Sequence, residues 1–265
     1  MDIKDAHQAR EHPTYHQALV RWITQLADDE LTLGHRDSEW LGLCPDIEGD
    51  VAFSSIAQDE VGHATFYFEL LHELGEPDPD RLAFARKSHE RRNAKLVEQE
   101  NGDWAYSILR HTLYDIFDGI RLEAMRQTSY LPLRHGVAKI QREEAYHLLH
   151  MKTWVVRMGK AGGEARQYLE EAAVRLWPQL DDLFSFGDAD EETLLRFGII
   201  GFGSAECKKR WEEQVKAIFS QAGLPWPGEI PISGRDGRLG QHDPALAQLL
   251  ETMTEVYRLD PVARW

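Results

Sequence analysis

Apolar residues recur along this chain at steps of three and four, the spacing of a helix face, and no segment sustains the alternation of a strand. From Thr14, the positions Leu19, Trp22, Ile23, Leu26 and Leu33 form one such stripe, and the helix should end near Gly42, ahead of Leu43-Cys44-Pro45. A second helix is predicted from about Asp46 to Leu74, stopping at Gly75, with Phe53, Ile56 and Tyr67 facing inward. A third should run from about Trp104 to Ser129 on a broad face that includes Ile108, Leu113, Phe117 and Ile120. A fourth follows a turn near Tyr130-Leu131-Pro132, carries Val137, Ile140 and Met151, and ends at Gly159. Helical patterns resume through Tyr168, Ala172, Leu176, Leu180 and Phe184, and again from Glu191 to about Gln221. Gly223 to Gly240 is rich in Gly and Pro and reads as an extended connector before a last helix from Pro244 to about Tyr257. The expected architecture is all-α: a four-helix bundle domain (14–221) after a loose N-terminal arm (1–13), then a connector with a C-terminal helix (222–265).

Charged residues break these apolar seams at chosen places. Glu30 falls four after Leu26 and three before Leu33, where a core residue would be expected. Glu60 and His63 interrupt the seam of the second helix, and the same Glu-x-x-His pair returns 84 residues later (144 − 60) as Glu144 and His147. Residues three apart share a helix face, so each pair can offer a carboxylate oxygen and an imidazole nitrogen to one cation. Positions 30 and 60 average to 45, so a hairpin turning at Pro45 sets Glu30 beside Glu60. In the other hairpin Asp115 precedes Glu144 by 29 residues (144 − 115) and matches this spacing better than Asp118 does.

A bundle that holds two metals needs a Glu-x-x-His from each of two helices and a carboxylate from each of the others. The predicted ligands are therefore Glu30, Glu60, His63, Asp115, Glu144 and His147. Glu30, Glu60 and His63 would serve mainly one ion, and the remaining three the other. Carboxylates with imidazole suit two iron ions, with manganese as the alternative. A polar buried network is the bland counterpart. His35, His72, His89 and His111 read as structural or exposed, whereas His150, three after His147, is a candidate to support it. Gly62 inside the first motif suggests close approach of a neighbouring helix or of substrate.

Composition narrows the class. The 265 residues carry a formal net charge of −15 with pI near 5.2, which argues against nucleic acid or anionic lipid as the main partner. Between Asp80 and Asn101 a charged stretch with Arg86, Lys87, His89, Arg91, Arg92 and Lys95 reads as an exposed, solvated connector or, alternatively, as a seat for a phosphorylated or acidic ligand. Cys44 and Cys207 are too few for a disulfide framework, no leader is evident and no run could span a bilayer, so a cytoplasmic protein is expected.

With these features the sequence resembles the ferritin-like subunits of bacterial phenylacetyl-CoA epoxidase, a multi-subunit monooxygenase. The resemblance runs nearly full length. It is carried by Glu39-Trp40-Leu41-Gly42 before Pro45, the two Glu-x-x-His motifs and Asn101-Gly102-Asp103-Trp104-Ala105. Leu176-Trp177-Pro178 with Leu183-Phe184, Gly237-Arg238-Leu239-Gly240-Gln241-His242, Leu246, Tyr257-Arg258 and Trp265 are similar to the structural, PaaC-type subunit. The resemblance implies a ferritin-like fold and aerobic phenylacetate catabolism. It also implies epoxidation of an aromatic acyl-CoA within the complex, partnership with a homologous catalytic subunit and electrons from a separate reductase. Structural subunits of this type can lack metal ligands, whereas this chain has all six. An oxygenase component and a metal-free interaction subunit therefore both stay open, with a ferritin-like iron oxidase or peroxide-consuming protein as a third reading.

Overall fold

The computed structural model describes residues 2–263 and is all-α, a ferritin-like bundle with added C-terminal helices. Among the described residues there is no strand, only an isolated bridge between Ile3 and Tyr130, and no helix long and apolar enough to cross a membrane.

The four long helices are α2 (Pro13–Ser38), α3 (Ile47–Glu73), α5 (Trp104–Met125) and α6 (Leu131–Ala161). They pack chiefly as the hairpins α2–α3 and α5–α6. Local signals set their starts. Pro13 opens α2 with a fixed φ, while the Asp46 and Asp103 side chains accept from the backbone N–H groups of Gly49 and Tyr106 at the first turns of α3 and α5. Pro132 lies in the first turn of α6, so the second hairpin turns just before it, at Arg126–Tyr130.

Around the bundle lie α1 (Ala6–Arg10), α4 (Lys95–Glu98), α7 (Gly163–Leu176), α8 (Glu191–Arg196), α9 (Ser204–Ala222), α10 (Pro244–Met253) and α11 (Glu255–Leu259). The helical pattern from Glu191 is thus broken between α8 and α9. There Gly198 has φ +67°, a conformation that side chains beyond glycine rarely adopt. The closing helix is likewise split in two at Thr254.

Two segments differ from the sequence reading. The arm 2–13 is docked: Ile3, Ala6 and Ala9 are buried, and Ile3 exchanges backbone hydrogen bonds with Ser129 and Leu131. The charged stretch 80–101 is solvated only in part: Lys87 and His89 are exposed, but its second half is not. Arg91, Asn93, Lys95 and Glu98 are buried, and Arg86 and Arg91 both pair with the buried Asp28. The reason is long-range pairing, since the carboxylates that receive these cations lie far away in sequence. The connector 223–240 and the following loop fold back on the bundle. Arg238 bonds Asp29 at 2.7 Å, Gly237 N–H bonds Asp182, and His242 bonds Glu98. Trp265 lies outside the described residues.

Apolar packing forms two main regions that meet the bundle from opposite ends. Phe53, Ile56, Leu113, Ile116 and Met151 belong to one, and Leu26, Tyr67, Leu71, Val137 and Ile140 to the other. On α3 and α6 the region changes at Glu60–His63 and at Glu144–His147, and on α5 at Arg121, between Ile120 and Leu122. The acid and histidine positions therefore form a polar layer between two apolar ones.

Candidate metal centre

The six residues singled out by the repeat are all at most 3% exposed. Glu30, Glu60, His63 and Glu144 come together, each offering one ligand atom within 4.8 Å of the others. His63 Nδ1 lies 3.2 Å from Glu30, 3.7 Å from Glu60 and 3.4 Å from Glu144. His147 joins this group from α6, with Nδ1 at 3.3 Å from Glu60 and 3.1 Å from Glu144. Asp115 is turned aside by comparison: one oxygen bonds His111 Nδ1 and the other has no hydrogen-bond partner. Asp118 is clamped by Arg121.

Glu60 and Glu144 are central to the arrangement, because all four of their carboxylate oxygens, and Nδ1 of His147, are buried without a hydrogen bond. Leaving a buried polar atom unpaired costs about 1–3 kcal/mol, and more for a charged one. A cation would satisfy these atoms together, so the donor set fits a metal. Helix geometry makes the approach possible. A Cβ on Gly34 would stand 2.8 Å from Glu60 Cβ and 3.2 Å from the Ala57 carbonyl, so only glycine lets α2 come this near to α3. At Gly62, by contrast, the space is open, and the close contact expected there is found at Gly34.

The electrostatics follow from burial and crowding. Burial and then the charge of Glu60 hold the Glu30 carboxyl well above the usual range, and the same causes push Glu144 up to about 8. Burial also acts on Glu60, but contacts with His147 and His63 outweigh it and keep Glu60 ionised. For His63, burial opposes the charge, yet Glu30 and Glu60 prevail and push it up to about 12. A cation entering the cluster would compete with protons for the same atoms.

A ring of supporting groups was not singled out from the sequence. Each imidazole is held from behind by the acid that precedes the glutamate of the opposite motif. Glu143 reaches His63 Nε2 at 3.0 Å, and Asp59 reaches His147 Nε2 at 3.3 Å. The signal was present, since the repeat reads acid-Glu-x-x-His in both copies. Tyr114 O–H donates to Glu30 Oε1 at 3.2 Å. Arg121 donates to Glu30, Asp118 and Asp29 as well as to the Tyr114 hydroxyl. Asp29 also accepts from Arg238, so the C-terminal segment reaches the neighbour of Glu30 through one shared carboxylate. His150 packs against Phe53 and bonds none of the six.

Fold and cluster together define a helical-bundle protein with a buried carboxylate and imidazole site. The chain belongs to the family described as phenylacetic acid catabolic protein, which it matches over residues 2–265. Two components of the 1,2-phenylacetyl-CoA epoxidase of Escherichia coli K12 are similar to it. It is 31% identical over 249 residues to component C, covering 93% of this chain and 99% of that component. It is 22% identical over 221 residues to component A, covering 80% of this chain and 70% of that component.

Proposed function

We propose that this chain is a metal-bearing component of a multi-subunit di-iron monooxygenase that acts on phenylacetyl-CoA in aerobic phenylacetate catabolism. The observation that carries this reading is the unpaired carboxylate pair Glu60 and Glu144 facing two imidazoles in a dry layer of the bundle. Family membership and likeness to both epoxidase components support it.

Two iron ions, when bound, supply the redox chemistry that activates dioxygen. The chain's own residues hold and shield them. Glu60 and Glu144 stand between the two imidazoles and would help hold the ions. Glu143 and Asp59 accept from the outer nitrogens of His63 and His147, which leaves each Nδ1 lone pair directed inward. Arg121 and Tyr114 fix Glu30 and offset part of the negative charge. The apolar layers above and below exclude water. The reaction in this reading puts one oxygen atom on the ring and releases the other as water. Two electrons come from a separate reductase, with two protons. A homologous ferritin-like subunit is the partner, the acyl-CoA binds within that complex, and the cytoplasm is the setting.

Greater likeness to component C than to component A favours a second reading, in which the chain is an interaction subunit that holds a catalytic homologue. Oxygen uptake with phenylacetyl-CoA, reductase and the homologous subunit tests the choice. The oxygenase reading expects uptake to fall at least tenfold when Glu60→Ala is introduced in this chain alone. Unchanged uptake from a stable complex carrying that variant would assign this chain to the scaffold.

A further inference from the structure

The first half of the charged stretch borders a cavity that the carboxylate cluster does not use. Residues Arg81–Ala85 form one wide π-helical turn, a form frequent at functional sites, and the chain then runs extended through Arg86 and Lys87. Opposite lie α10 and α11, which join at the buried Thr254. Between the two segments is a cavity of about 650 Å3, within the size range of small-molecule sites. Among the described residues, Arg81, Arg86, Lys87 and Arg258 line it and no carboxylate does. The chain as a whole carries 15 more acids than lysines and arginines (45 − 30), so a cleft of one positive sign runs against its composition. Asp28 holds Arg86, but among the described residues no carboxylate pairs with the exposed Arg81, Lys87 or Arg258. Concave walls of one charge concentrate the field and draw in the opposite ion.

The wall beside these cations is aromatic. Phe84 and Tyr257 meet with ring centroids 5.9 Å apart. Both also line an adjoining hollow of about 290 Å3, together with Met253 and Val256. The one charged residue of that hollow is Asp80, so it repels an anion and suits an uncharged ring.

From this arrangement we infer that the cleft binds a nucleoside phosphate, with the phosphates on Arg81, Lys87 and Arg258 and the base against Phe84 and Tyr257. Guanidinium groups match phosphate oxygens in pairs, and lysine adds a point charge. Aromatic faces stack on any base. A flat basic patch would suit an acidic protein surface, whereas a concave volume with an aromatic wall suits a small molecule. No residue of the cleft belongs to the carboxylate and imidazole cluster, so this site and the metal reading can fail separately.

Isothermal titration calorimetry of the full chain in low salt tests the site, with ADP, inorganic pyrophosphate, adenosine and polyglutamate as probes. ADP should bind, and pyrophosphate and adenosine should each bind about tenfold more weakly or less well still. Arg81→Ala and Arg258→Ala should each weaken ADP about tenfold. Tyr257→Ala should weaken ADP by a similar factor and leave pyrophosphate unchanged. Melting curves check that each variant is folded, as expected for the exposed Arg81 and Arg258. Parent affinity for ADP in a folded variant carrying both Arg81→Ala and Arg258→Ala would overturn the site, as would a parent that binds no ADP at millimolar concentration. Pyrophosphate bound as tightly as ADP would overturn the ring contact and mark a seat for free phosphate. Polyglutamate bound where ADP is not would give the cleft to an acidic protein segment and overturn the inference as well.

Discussion

Glu143 on α6 meets Nε2 of His63 on α3 at 3.0 Å, across the gap between the two hairpins. Asp59 makes the reciprocal contact with His147 at 3.3 Å. Each motif thus steadies the histidine of the other, and the two halves of the centre are mechanically linked. Glu143→Gln should leave the fold intact, because Glu143 lies toward the surface and its other partner is the exposed Lys139. The same change should weaken metal binding by about 10- to 100-fold, read as the ferrous dissociation constant. Parent affinity in the variant would remove Glu143 from the account.

Gly34 marks where α2 passes closest to Glu60. A methyl group there would stand 2.8 Å from Glu60 Cβ, and backbone rather than a flexible side-chain tip lies behind it. Gly34→Ala should destabilise the chain by about 1–3 kcal/mol through overpacking and lower metal occupancy as well. Urea unfolding with metal analysis checks both. An unchanged midpoint would show that the hairpin can open at no cost.

Asp28 receives Arg86, Arg91 and the N–H of Arg92 at a fully buried position. Burial pushes its carboxyl up, but Arg86 and Arg91 outweigh burial and hold it below the usual carboxylate range. Asp28→Ala would strand Arg91 without its carboxylate and should cost about 3–5 kcal/mol, measured by denaturant unfolding. A loss near zero would return this stretch to the solvated connector expected from its composition.

What could be read from the sequence, and what could not, divides along contact range. The four long helices, the all-α class and the meeting of Glu30, Glu60, His63 and Glu144 followed from local periodicity and from the 84-residue repeat (144 − 60). Asp59 and Glu143 could have been found by reading the repeat one residue further back. His111 carried no such mark, because its partner Asp37 is 74 residues away and belongs to no repeat. The second half of the stretch 80–101 was misread for the same reason: lysine and arginine count as solvated until the distant Asp28 or Asp181 that meets them is known. The N-terminal arm docks through Ile3, Ala6, Ala9 and backbone hydrogen bonds to Ser129 and Leu131, too few and too small apolar positions to stand out in the sequence.

His242 provides a pH test away from the metal layer. Its Nδ1 donates to Glu98 at 2.6 Å and its Nε2 to the Arg91 carbonyl at 3.1 Å. Burial lowers its pKa, but the bond and charge of Glu98 outweigh this and raise it above the ordinary 6.5. The folded state therefore binds this proton more tightly than the unfolded chain does. The resulting stability is complete below pH 6.5 and is lost as pH rises through the folded value. The melting-temperature difference between the parent and His242→Gln should be largest in mildly acidic buffer and shrink in alkaline buffer. A difference that grows with pH would reverse the assignment.

The central claim is that the polar layer of this bundle exists to hold a dinuclear metal centre on Glu60 and Glu144. Iron per chain after anaerobic ferrous loading and removal of loosely bound ion tests it most directly. The account predicts two iron ions in the parent, fewer than one in Glu60→Ala, and a metal-dependent rise in melting temperature that only the parent shows. A folded parent that stays free of metal and melts at the same temperature with and without ferrous ion would contradict it.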